Sequence, residues 1–300
     1  MTDQRSVGDG TALRILETYT AAAESLPSKE RIHFVRRAYR LTGEEQYSEI
    51  MDDWAARHTV PAIRRRAAIL EKVAAGARTF PPVSFRKARG ARAAARNAFL
   101  RAHPALQFFR RYLMDLFQAQ SLGLDKTELR DEWAGYIDTL KRFDFEELFL
   151  DDQVIDTVSS FAVNCVIFLD FLEVDHDLHR RFVGRLRSLY LTEDLQLRRP
   201  LTQAEYTSFV YNLTHVVIAY SGFYQRWVAG LAWIADVLAS QTQEIIEVSG
   251  FDAIAEAGVA LKLLREEARP DALESLRAHL LSNYDLDRAL QPELLARREH

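Results

Sequence analysis

The chain has 300 residues, 48% of them hydrophobic and 27% charged, with a formal net charge of −4, a balance that fits a globular protein with a substantial core and excludes a disordered chain. Only 12 Gly and 8 Pro punctuate it and it holds one cysteine, Cys165, which excludes an intramolecular disulfide framework, argues against a many-stranded fold and points to a reducing, cytoplasmic compartment. The first residues lack a basic stretch followed by an apolar one, and the most apolar runs, 161–172 and 228–239, are interrupted by Asn164 and Asp170 or by Asp236, so neither a secretory leader nor a membrane span is expected.

In chain order, the first clear unit is SLPSKERIHFVRRAYRLTGEEQYSEIMDDWAARH. Ser28 is placed to cap a helix, Ile32, Val35, Ala38 and Tyr39 recur at helical spacing, and Thr42-Gly43 stops the helix before Tyr47, Ile50, Met51 and Trp54 begin the next apolar face. This spacing predicts a tight αα-hairpin. A helix over 62–76 follows. Pro81-Pro82 then break the pattern, and the basic, Ala-rich run after them is either a helix or a flexible connection, taken here as 79–97. Limited trypsin digestion is expected to cut first within 79–92; initial cleavage within 154–190 would overturn this layout. Further helices are expected over 104–121, 125–142 and 146–150, with Gly123 and Phe143-Asp144 as turns.

The second half repeats a simple plan. Helix 154–172 turns at Val174-Asp175 into 176–190, helix 202–220 turns near Ser221-Gly222 into 224–248, and helix 251–267 turns at Arg269-Pro270 into 272–282. The β-branched stretches VNCVIFL and THVVIAY also suit short buried strands, because periodicity alone does not separate the two. A hairpin cannot cover its own apolar face, so consecutive hairpins imply stacking. About six hairpins in one 300-residue domain suggest either an open solenoid or a closed α/α-toroid. RAYRLTGEEQY resembles the hairpin turn of α/α-toroid proteins, and YNLTH at 211–215 and DAIAEAG at 252–258 resemble the inner helices of bacterial toroid proteins of unassigned activity. That resemblance implies an all-α, toroid-like fold; it implies no chemistry.

Function rests on polar residues in apolar helices. His33, Asn164, Asn212 and Glu256 each precede the turn of their hairpin by roughly nine to thirteen residues; in a repeat they occupy similar depths and converge on one axis. His215, three residues after Asn212, shares its face. A desolvated Glu and a neighbouring His suit general acid/base work, so His215 and Glu256 form the expected catalytic pair of a cofactor-independent lyase, isomerase or hydrolase. Tyr220, Ser221, Tyr224 and Gln225 would rim its pocket and place a small molecule or peptide; equally, the two tyrosines would serve only as packing. With no GxSxG elbow, Ser221 is not read as a hydrolase nucleophile. The competing reading is a non-catalytic helical adaptor that binds another protein, with the polar residues fixing helix register.

Other chemistries find less support. EVDHDLH and ERIH contain Glu-x-x-His steps, but a di-iron site needs two further glutamates on long helices, and Asp175 reads as an N-cap that leaves Glu173 in a turn. No metal is assigned; Cys165 with His215 and an acid is the one combination left open. There is neither a P-loop nor a dinucleotide fingerprint, and Asp52-Asp53 and Asp151-Asp152 read as helix caps. Charge is uneven: residues 57–111 hold fourteen Lys or Arg against Glu71, a balance of +13 that leaves −17 elsewhere. Arg86, Arg89, Arg92 and Arg96 form one stripe if helical, but no aromatic residue alternates with them and the pI is near 6.1, which argues against nucleic acid. Self-association or a protein partner bound through 57–111, or the covering of an acidic cleft, is the expected use, with a solvated loop as the alternative.

Overall fold

The computed structural model describes residues 4–85, 88, 91–265 and 269–283. Among them the chain is helical throughout, with no strand and one isolated antiparallel bridge, Leu191 to Leu197. Both β-branched stretches are helical. The structure divides into two compact units, one drawing on Met1–His58 together with Ser282–His300 and the other on Thr59–Leu281.

The first unit contains α1 (Gln4–Ala21), α2 (Ser28–Thr42) and α3 (Glu45–Trp54). Its core is Val35, Ala38 and Tyr47, with Leu16, Phe34, Tyr39, Ile50 and Met51 packed against it. Gly43 closes α2 in the left-handed region (φ 72°) and donates to the Tyr39 carbonyl at 2.8 Å, as the Thr-Gly step requires. The start of α2 differs from expectation. Pro27, held extended, takes the cap position and its carbonyl receives the Arg31 N–H at 2.8 Å, so Ser28 is already helical and caps nothing. Asp52 and Asp53 end α3 and cap no helix start; Asp53 pairs with Arg57 one turn on.

In the second unit, α4 (Val60–Ala74) buries Ile63, Ala67 and Leu70 at helical spacing. The Ala-rich run forms α5 (Ala91–Ala102), since alanine is the best helix former, so a helix begins inside the expected 79–97 connection. Phe80, at the head of that connection, is held among Phe108, Phe109 and Phe143, with ring centroids 5.2, 5.4 and 6.3 Å away. Then come α6 (Pro104–Ser121), α7 (Arg130–Leu140), α8 (Phe145–Phe149) and the long α9 (Asp152–Phe171), which bends at Val158. Asp151 caps α9 by accepting from Gln153 and Val154 N–H groups, and Asp175 accepts from Asp177 and Leu178 N–H groups at the start of α10 (Leu178–Tyr190). Among the described residues α9 alone has the length and apolar composition of a membrane span; more than half of that stretch is buried within the protein, against α6, α10 and α11.

Helix α11 (Gln203–Tyr220) begins with a capping box in which Thr202 Oγ1 accepts the Glu205 N–H at 3.4 Å and Glu205 accepts the Thr202 N–H at 2.8 Å. Arg199, hydrogen-bonded to Glu205 at 2.8 Å, and the Thr202 groups draw its carboxyl down to about 2. The depressed value means this contribution is present above the ordinary carboxylate range and lost as pH falls through about 2. Thr202→Ala is expected to cost about 1 kcal/mol at neutral pH, read as a lower denaturation midpoint.

The expected helix 224–248 is broken. Residues 222–231 form turns and coil, followed by α12 (Ala232–Ser240) and α13 (Thr242–Val248). Gly222, Phe223 and Tyr224 all have positive φ, at 62°, 58° and 77°. The Phe223 ring stacks on Phe168 at 5.6 Å and lies 5.5 Å from Phe117, and this burial holds a backbone that helix propensity alone would not choose. The unit continues with α14 (Phe251–Leu263) and α15 (Pro270–Asn283). Consecutively, α9 packs on α11 and α11 on α14, so the first helices of the three expected hairpins lie side by side.

Candidate functional site

The seam between α11 and α14 is built by two helical spacings. Tyr211 and His215 lie one turn apart on α11, as Asp252 and Glu256 do on α14, so two polar pairs face each other across the contact. The Tyr211 hydroxyl donates to Asp252 Oδ2 at 2.9 Å. One turn further, His215 Nε2 is 3.6 Å from Glu256 Oε2, and the Thr214 hydroxyl donates to the same oxygen at 2.9 Å. The His215 and Glu256 side chains keep 25% and 20% of their exposure, so both are largely desolvated yet reachable from solvent. Burial, then the Asp252 carboxylate, pushes the Tyr211 phenol well above its ordinary range and keeps it a donor.

The other expected residues are distributed differently. Asn212 is buried and Asn164 half-buried; Asn212 Nδ2 and Asn164 Oδ1 have no hydrogen-bond partner among the described residues. Asn212, three residues before His215, is buried while His215 keeps a quarter of its exposure, and the His215 ring lies 6.2 Å from that of Tyr211, four residues before it. His33 is exposed on α2 in the other unit, since the buried stripe there runs through Ile32, Val35 and Ala38. Tyr220, five residues past His215, is rotated away from it and packs edge-on to His179 of α10 at 5.4 Å. Ser221 is fully buried, and its hydroxyl donates to the Ile218 carbonyl at 2.7 Å and accepts the Tyr224 N–H at 2.8 Å. It holds the turn and presents nothing to a ligand. Tyr224 is half-buried in that turn, and Gln225 is exposed with its N–H on the Ser221 carbonyl at 3.0 Å.

Residues missed in the sequence complete the seam. Arg92 of α5 donates to Ser208 Oγ at 2.9 Å and its guanidinium lies 4.5 Å from the Tyr211 ring centroid. Tyr211 and Asp252 were legible as one-turn neighbours of the expected pair; Thr214 meets Glu256, and Arg92 meets Ser208, only through tertiary packing. Elsewhere in this unit, a cleft of about 290 Å³ is lined by Asp156, Tyr190 and Arg199, with the Tyr190 hydroxyl donating to Asp156 at 2.6 Å. A second, of about 240 Å³, lies between Arg66, Arg111 and the Pro81–Ser84 segment. Among the described residues no three His, Cys, Asp or Glu side chains are grouped to hold a metal ion. Arg86 and Arg89 of the basic stripe lie outside the described residues.

These features define an all-α protein with a partly buried polar seam between two of its helices. Residues 9–299 match the family described as a domain of unknown function, DUF3541, and the chain belongs to that family. No curated protein and no solved structure matches the chain.

Proposed function

We propose that the protein is an enzyme acting on a small molecule or peptide by acid/base chemistry, with His215 and Glu256 as the working pair. The observation that carries this reading is the 3.6 Å approach of His215 Nε2 to Glu256 Oε2, with Thr214 fixing that same oxygen. A carboxylate held in place beside an imidazole orients the ring and stabilises the imidazolium formed when the ring takes a substrate proton. Thr214 keeps Glu256 from turning away, and the Tyr211 hydroxyl, donated to Asp252, holds the neighbouring turn of the seam in place. No cofactor or metal enters this scheme.

The architecture we propose is toroid-like, with α9, α11 and α14 as inner helices, supported by their packing in sequence. An open solenoid accounts for the same pairwise contacts. Cys165, buried with its thiol pushed up to about 12, suits a reducing compartment and a structural part. The enzyme reading is tested by incubating purified protein with cell extracts and peptide pools and following, by mass spectrometry, compounds consumed and formed. A conversion that needs active protein and is lost in Glu256→Gln is expected; the absence of any conversion across such pools counts against it.

A non-catalytic adaptor remains the second reading, favoured by one observation: Phe251 and Val259 on α14 and Leu281 on α15 are large apolar side chains left exposed. That reading expects capture of a partner protein to be abolished by Phe251→Ser with Val259→Ser and unaffected by Glu256→Gln.

A further inference from the structure

Three arginines of α5 and α6 lie over aromatic rings of α9 and α11, and among the described residues no carboxylate pairs with them. Arg110 of α6 lies 3.6 Å from the Phe161 ring centroid of α9, and Arg96 of α5 lies 5.0 Å from the same ring. Arg92, one turn before Arg96, covers the Tyr211 ring of α11. All three are half-buried. Among the described residues none of them forms an ion pair with an acid, whereas Arg66, Arg181, Arg185, Arg199 and Arg269 each do.

Their neighbours are mostly cations. Burial, and then the charge of Arg92, lowers Arg96; burial brings Arg110 down to about 10, with Arg96 and Arg111 opposing its charge and only the Cys165 thiol favouring it. The neutral Gln107 amide offers a carbonyl oxygen beside Arg110 and Arg111. It lies 3.4 Å from Arg110 Nη1 in one amide orientation and 3.0 Å from Arg111 Nε in the other, so it cannot serve both. Desolvated like charges held on aromatic faces without a counter-ion raise the free energy of the unliganded protein, and an anion relieves that repulsion. Stacking on a ring leaves the in-plane N–H groups of a guanidinium for bidentate bonds to oxygen.

We infer that Arg92, Arg96 and Arg110 form an anion-binding site that takes the phosphate monoester of a small molecule. A dianion offsets most of three positive charges, which a single carboxylate does not. Phe161 is the platform on which Arg96 and Arg110 lie. Through Tyr211, Arg92 joins this site to His215 and Glu256. The assignment of the anion as substrate rests on the acid/base reading; the binding itself does not. It replaces self-association as the use of Arg92 and Arg96.

The test is calorimetric titration of the full chain with phenyl phosphate, and separately with inorganic phosphate, benzoate and a phosphotyrosine peptide, at constant ionic strength. Saturable binding of phenyl phosphate is expected, at least tenfold tighter than benzoate and weakened at least tenfold in both Arg96→Gln and Arg110→Gln. Arg110→Lys, which keeps the charge and loses the planar fork, is expected to bind with an affinity between those of the parent and Arg110→Gln and guards against a variant that merely unfolds. Binding in Glu256→Gln should persist even if that variant shows no loss of activity, which separates failure of this inference from failure of the acid/base reading. Affinity unchanged in the arginine variants, or no saturation with phenyl phosphate at millimolar concentration, overturns it, as does binding confined to the phosphopeptide.

Discussion

Glu256→Gln is expected to fold as the parent does and to lower turnover by on the order of 10²–10⁴-fold, the usual loss when a positioned acid/base group is removed. The amide keeps the shape and accepts the Thr214 hydroxyl, which donates at 2.9 Å in the parent, but it supplies no charge 3.6 Å from His215 Nε2. His215→Asn should produce a loss of similar size, and the double variant little more than either single one, because groups that act as a unit are not additive. A purely structural role gives a different pattern: activity retained, with stability changed by roughly 1–3 kcal/mol for the lost charge-assisted bonds. Thermal melts alongside the conversion assay distinguish the two. Full activity in both folded variants would remove His215 and Glu256 from the mechanism.

The largest expected effect on stability is at Phe109, which is 1% exposed. Its ring lies 5.0 Å from Phe145, 5.2 Å from Phe143, 5.4 Å from Phe80 and 5.7 Å from Phe108, so it joins α6, the start of α8 and the connection after α4. Phe109→Ala leaves a cavity that four rings cannot collapse to fill, and should cost about 3–5 kcal/mol. That is a large share of a stability on the order of 5–15 kcal/mol. The measurement is the urea midpoint at unchanged slope, together with the rate of tryptic cleavage at Arg78, which should rise as Phe80 loses its neighbour. A loss under about 1 kcal/mol would mean that the cluster does not hold the connection.

How much of this was legible beforehand depended on how local the physics is. Helix limits came from caps and spacing: Gly43 in its left-handed turn, Asp151 and Asp175 accepting N–H bonds, and Pro104–Ser121 in full. The pairing of His215 with Glu256 was also within reach, because both lie on first helices of consecutive hairpins, at depths that packing brings level. The failures share one cause. Residue type and spacing place a cap at Ser28 and an unbroken helix over 224–248, whereas the extended Pro27 and the stacking of the half-buried Phe223 ring decide both. Residue counting places His33 at the depth of the other polar residues and Tyr220 at a pocket rim, whereas His33 is exposed on α2 and Tyr220 packs on His179, because counting leaves the rotational angle about the helix open.

By itself, then, the sequence determined an all-α chain of hairpins with a histidine and a glutamate at matching depth, since caps, turns and apolar spacing act over a few residues. Only the tertiary structure decided that Thr214 fixes Glu256, and that Arg92, Arg96 and Arg110 from two helices gather on Phe161 and Tyr211 of two others. Those contacts join residues 42 to 119 positions apart for a few ångströms of reach, and no local preference encodes where distant helices bring their side chains together.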